Sequence, residues 1–191
     1  MADLPALLRQ VCKSFKTFLK TAFKIGYRKP DLQNLEKLLS EKRWREADRE
    51  TNTLMLWAAY SEHIGTMSHL KLLYFPEETL MAIDALWTRH SNGRFGFNIK
   101  RHIYIELGTD ANEPYKEEDV LLDKLLTFAD CVGWRVDRRY LNYEDLTFDI
   151  TAPVGHLPAC QWLFPTAEEI PSDKHRRLYR AKALVFLITR W

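Results

Sequence analysis

Three stretches of the chain carry residues whose types and spacing can do chemistry. In Ser91-Asn92-Gly93-Arg94-Phe95-Gly96-Phe97 two glycines flank an Arg-Phe pair and a second phenylalanine follows. Glycine permits positive φ and close backbone approach, so this segment can turn tightly while presenting two rings and one cation. Val132-Gly133-Trp134 and Ala152-Pro153-Val154-Gly155-His156-Leu157-Pro158 add large apolar groups on further loops. Bulky apolar residues on loops of a helical scaffold line pockets, and a flat apolar ligand stacks on them while cations hold carboxylates at its edge. The equally physical alternative is that the rings plug a helix–helix connection; for the Ser91–Phe97 loop taken alone that account is the stronger.

Bond-making chemistry finds no support. Gly93-Arg94-Phe95-Gly96 lacks the spacing and the Lys-Ser/Thr ending of a phosphate-cradling loop. Neither a Gly-x-Ser-x-Gly elbow nor a His-Glu-x-x-His helix occurs. His156 and Cys160 stand four apart, but Pro158 between them spoils a shared helical face. The three cysteines, Cys12, Cys131 and Cys160, are too scattered for a zinc site or a disulfide framework. Arg94, Lys100 and Arg101 with Phe95, Phe97 and Tyr104 mix bases and aromatics as a single-strand binder would, yet the surrounding centre is acidic, which argues against nucleic acid.

The elements that must position these residues are helices. Leu4–Ile25 reads as a basic amphipathic helix, with Leu7, Leu8, Val11, Phe15, Phe18, Leu19, Ala22 and Phe23 at three- and four-residue steps and lysines between them. Such a stripe packs on the body of its own protein more often than on a membrane surface. Gly26 and Pro30 punctuate the chain, which sets a boundary near residue 30. Leu32–Ser40 and Trp44–Tyr60 form a predicted helical hairpin turning at Glu41–Arg43. Ser61–Tyr74 reads as a loop with a helical turn. Pro76 opens a helix that stops at Ser91-Asn92-Gly93, and Asn98–Leu107 and Glu117–Val132 complete the set, each followed by glycine. Beyond Gly133 come short strand or turn pieces, then a basic tail with helical spacing over Ser172–Arg190. The expectation is an all-α fold: residues 1–30 as a basic amphipathic helix and linker, 31–165 as a compact cupped helical domain with a loop-rich last third, and 166–191 as a basic helical tail.

Composition agrees with a packed domain. A hydrophobic fraction of 46% supports a core, and seven glycines and eight prolines are too few for disorder. Residues 1–45 hold eleven Lys and Arg against four acids, and residues 165–191 hold six against three, so the overall +2 conceals two basic ends around an acidic centre. Either the ends dock on that centre or they seek an acidic partner or anionic membrane. No cleavable signal is visible, whereas the acid-poor residues 1–30 leave an organelle transit peptide open.

Read together, the segments resemble the Genomes Uncoupled 4 family of tetrapyrrole-binding regulators. The similarity starts near Leu35-Glu36-Lys37-Leu38-Leu39, passes through Trp44–Thr51 and Ile83–Trp87, and is strongest at Ser91–Phe97, Gly133-Trp134, Tyr143–Phe148 and Ala152–Pro158. It implies a non-catalytic protein that binds protoporphyrin IX and Mg-protoporphyrin IX and stimulates magnesium chelatase in chlorophyll biosynthesis through that enzyme's large porphyrin-binding subunit. It also implies a photosynthetic setting, cyanobacterial cytoplasm or chloroplast stroma, with peripheral membrane contact as a further expectation. Ser61–Tyr74 matches the family poorly at what corresponds to a flap over the ligand, which keeps open a bilin instead of a porphyrin, or an adaptor that has lost the pigment. On this reading Phe95, Phe97, Val132, Trp134 and Leu157 are apolar walls, Arg94, Arg101 and His156 serve the propionates or orient the loops, and no protein metal site is expected.

Overall fold

The computed structural model describes residues 27–67, 71–72, 75–108, 118–160, 183–185 and 187–188. The expected helix at Leu4–Ile25 lies outside the described residues, as does most of the tail. Among the described residues the fold is carried by helices α1 Gln33–Ser40, α2 Trp44–Ala58, α3 Glu77–His90, α4 Phe97–Glu106 and α5 Glu118–Cys131, then by a two-stranded ribbon, β1 Arg135–Val136 and β2 Arg139–Tyr140. The architecture is all-α, as the sequence predicts.

The first two helices form an antiparallel hairpin because both carry a single apolar stripe. Leu35, Leu38 and Leu39 of α1 are buried, as are Trp44, Ala47, Leu54, Met55 and Ala58 of α2. Helix α1 ends in a tight turn in which Arg43 N–H reaches the Leu38 carbonyl at 3.0 Å and Lys42 N–H the Leu39 carbonyl at 3.1 Å. That closure needs a left-handed residue, and Lys42 takes φ 59° where glycine is usual. The lysine has its own employment there: its Nζ bonds the His90 carbonyl at the far end of α3. Helix α3 starts at Pro76, with Glu77 and Glu78 at its positive end, and buries Leu80, Ile83, Leu86 and Trp87. Trp44 and Trp87 stack at 6.1 Å, Phe95 meets Trp44 edge-on at 5.5 Å, and Trp87 Nε1 donates to Thr51 Oγ1 at 2.9 Å. This aromatic knot is the centre of the helical half.

Beyond α5 the chain changes character. Trp134 N–H returns to the Ala129 carbonyl at 2.8 Å, closing the helix end around Gly133. Asp137 and Arg138, both at positive φ, make the two-residue turn between β1 and β2. From Tyr143 to Cys160 the backbone is a 3-10 turn followed by bends. Tyr27 and Arg28, at the predicted boundary, pack on the body: Tyr27 Oη donates to the Lys71 carbonyl at 2.8 Å, and the Arg28 guanidinium lies 4.0 Å from the Trp57 ring and 4.1 Å from the Tyr60 ring. In the tail, Ala183, Leu184, Val185, Leu187 and Ile188 are buried with the rest of the core.

Candidate functional site

The three segments singled out in the sequence meet in space, and the bonds among them are specific. Gly96 N–H donates to the Leu157 carbonyl at 3.0 Å, and Gly155 N–H donates to the Arg94 carbonyl at 2.8 Å, so the 91–97 loop and the 152–158 loop run against each other. Arg94 adds a side-chain bond from Nη2 to the Ala152 carbonyl at 2.8 Å. Trp134 Nε1 donates to the His156 carbonyl at 2.8 Å, bringing in the third segment. His156 completes the clasp. Its Nδ1 lies 2.6 Å from the Val132 carbonyl, and its Nε2 accepts the Thr147 N–H at 3.2 Å. Those partners fix the neutral Nδ1–H tautomer, and burial holds the imidazole below its ordinary 6.5.

Two glycines make the close approach feasible. A Cβ on Gly96, which sits at φ 141°, would stand 2.6 Å from Asp84 Oδ1, and a Cβ on Gly155 would stand 2.7 Å from Ile103 Cδ1. Asp84 explains the first contact: from α3 it accepts the Asn98 N–H at 3.0 Å and so caps the start of α4 across the fold. A second carboxylate does the same work elsewhere. Fully buried Asp48 of α2 accepts the Tyr143 hydroxyl at 2.7 Å and the Ala159 N–H, fastening the last turn to the helical hairpin. Burial pushes both carboxyls above the ordinary range, opposed by these donors.

Of the predicted site residues, Phe95, Phe97, Val132, Trp134, His156 and Leu157 are all buried. Phe95 enters the Trp44–Trp87 knot, while Trp134 packs edge-on against Phe128 at 5.9 Å. Arg94 and Arg101 are half-buried, and the Nε of each has no hydrogen-bond partner. Both Nε atoms are shielded from solvent, and both ring nitrogens of His156 are already engaged. At the clasp Ile103 is half-buried close to Gly155 and Val154 is exposed, and Ile105 of α4 and Val136 of β1 are exposed as well. None of these four was nominated from sequence, nor were Asp48 and Asp84, and Lys100 was noted only in the basic and aromatic cluster weighed for nucleic acid. The available signal was a charged residue on an apolar stripe: Asp48 beside Ala47 and Asp84 beside Ile83. Among the described residues no group of three or more His, Cys, Asp or Glu could hold a metal ion, and no helix is long and apolar enough to cross a membrane.

Comparison with known proteins adds a family. A family model described as GUN4-like matches residues 26–170. A Porphyra purpurea protein named uncharacterized protein ycf53 is 29% identical over 140 residues, covering 70% of this chain and 51% of its own length. The chloroplastic tetrapyrrole-binding protein of Arabidopsis thaliana is 30% identical over 136 residues, covering 65% of this chain and 46% of its own. A Ycf53-like protein of Synechocystis is 35% identical over 85 residues, covering 44% of this chain and 30% of its own. The chain spans about half the length, or less, of these relatives. Among solved structures, the ligand-free GUN4 of Arabidopsis thaliana matches with a TM-score of 0.57 at 23% identity, over 82% of this chain and 94% of that one. GUN4 of Chlamydomonas reinhardtii matches with a TM-score of 0.56 at 17% identity, over 83% of this chain and 91% of that one. At those identities the shared property is the fold.

Proposed function

The chain belongs to the GUN4-like family, and on that premise we propose that it binds a porphyrin, protoporphyrin IX or its magnesium complex, and stimulates magnesium chelatase without catalysing a reaction itself. The observation that carries this reading is the family match through residues 26–170, joined to a relative whose name is tetrapyrrole-binding protein. The geometry supports it at the clasp, where half-buried Arg94, exposed Val154 and half-buried Ile103, close to Gly155, are brought together.

The residue roles follow from burial. Phe95, Phe97, Val132, Trp134 and Leu157 form the packed backing of the wall, and Ile103 and Val154 supply atoms that a flat macrocycle can touch. Arg94 and Arg101 take the propionates; His156, saturated by backbone partners, orients the loops. Magnesium enters as cargo inside the porphyrin. The protein acts by presenting the pigment to the chelatase's large porphyrin-binding subunit, in a chloroplast stroma or a cyanobacterial cytoplasm.

One observation favours a second reading, an adaptor that keeps the fold without the pigment: every ring assigned to the wall is sealed in the core. Magnesium chelatase assayed with and without the full chain separates the two. Stimulation that grows with added Mg-porphyrin or porphyrin supports the carrier; stimulation indifferent to pigment supports the adaptor. Binding of a linear bilin in place of either porphyrin would redirect the ligand assignment.

A further inference from the structure

Lys100 of α4 has no exposed surface, which is an expensive place for an ammonium. Its Nζ lies 3.5 Å from the Gly96 carbonyl, 5.5 Å from the Phe97 ring centre and 5.7 Å from that of Trp134. The stem passes under the third segment, where a Cβ on Gly155 would stand 3.6 Å from Lys100 Cγ. One side chain therefore touches all three stretches of the clasp from beneath. It is also the cation facing the two buried carboxylates that fasten those stretches, Asp84 at the start of α4 and Asp48 at Ala159. Two carboxylates without a counter-charge in this interior would be more costly than two with one.

We propose that Lys100 is a positioning residue of the tetrapyrrole site, holding the Gly96–Phe97 turn, Trp134 and the Gly155–Ala159 turn in the binding arrangement through its buried positive charge. This rests on the tetrapyrrole reading above. Lys100 touches no ligand; it acts through the loops that do. Burial pushes the ammonium down to about 7, against the pull of Cys160, Asp48 and Asp84. The charge on which the arrangement depends is thus removable near neutral pH. Of the other titratable groups that face it, Asp48 and Asp84 are raised above the ordinary carboxyl range by burial, His156 lies below 6.5, Cys160 well above 9.0, and Tyr143, bonded to Asp48, is raised by burial.

The test uses the full chain. Wild-type affinity for deuteroporphyrin IX falls as pH rises through about 7, in step with the titration of the Lys100 Cε resonance by NMR. Lys100→Met, which keeps the stem and removes the charge, binds roughly tenfold more weakly at pH 6, the scale of one lost charged contact, and shows no such step. Adding Asp84→Asn, which keeps an accepting oxygen for Asn98 N–H, recovers most of that loss. Amide exchange at Asn98 and Ala159 quickens in K100M while that of α1 does not change. A K100M chain with wild-type affinity, pH profile and amide exchange overturns the proposal and leaves the tetrapyrrole reading standing. A wild-type chain that binds no pigment, yet whose Asn98 and Ala159 amides respond to K100M, fails the tetrapyrrole reading and leaves the charge lock as a purely structural device.

Discussion

The hairpin of α1 and α2 with α3, and the clasp of the 91–97, 132–134 and 152–160 segments, are held by different physics. In the first, leucines and tryptophans on helical stripes bury against one another, and the Trp44–Trp87–Phe95 knot needs one polar contact, from Trp87 to Thr51. In the second, irregular backbone is buried, and each segment is fastened by a named donor or acceptor: Asp48, Asp84, Arg94, Trp134, His156. Apolar burial tolerates adjustment at about 25 cal/mol per Å², whereas a buried polar group deprived of its partner incurs its desolvation cost at once. Substitutions in the helical half are therefore expected to lower global stability, and those in the clasp to move loops and ligand contacts first.

The largest expected effect breaks the helical half. Trp87→Ala removes a fully buried ring together with the donor to Thr51 Oγ1, which keeps its own bond to the Ala47 carbonyl, and is expected to cost about 3–5 kcal/mol, read from the midpoint of urea unfolding. Gly96→Ala follows. Its Cβ would strike Asp84 Oδ1 at 2.6 Å in a backbone conformation that favours glycine, so a cost of about 2–4 kcal/mol and faster amide exchange at Asn98 are expected. His156→Gln is expected to cost about 1–2 kcal/mol and to change the pH dependence of unfolding. Because the folded-state value of His156 lies below 6.5, its neutral form contributes stability above about 6.5, and that contribution is lost as pH falls toward the folded value. Thermal melts from pH 7.5 to 5 show this slope in the wild type and a shallower one in H156Q. The smallest effect is at the rim, where exposed Glu144 pairs with Arg45 at 2.6 Å and Arg49 at 3.2 Å. Glu144→Ala is expected to cost less than about 1 kcal/mol, and that little should vanish in high salt.

The contrast also explains what the sequence made legible. Helix periodicity is local, so the hairpin, its turn at Glu41–Arg43, the start at Pro76 and the stop at Ser91–Gly93 are all readable from spacing. The clasp is not local. Asp48 meets Ala159 and Tyr143 across about half the chain, and no spacing rule connects them. Arg94 and His156 stood out by type, but only the fold shows that His156 has both nitrogens engaged with backbone while Arg94 keeps one donor free. Lys100 drew notice only as one base of an Arg94, Lys100, Arg101 cluster of the kind that binds single strands, because a lysine in Asn98-Ile99-Lys100-Arg101 reads as surface; its burial is visible only in the fold. The rings of Phe95 and Phe97 looked like presented walls, and the fold turns both inward.

The central claim is that this chain binds a tetrapyrrole. Titrating the purified full chain with deuteroporphyrin IX, while following tryptophan fluorescence and the Soret band, tests it most directly. Saturable quenching with a shifted Soret maximum, both weakened by Arg101→Ala, is the predicted result; no quenching and no shift at tens of micromolar pigment would contradict the account.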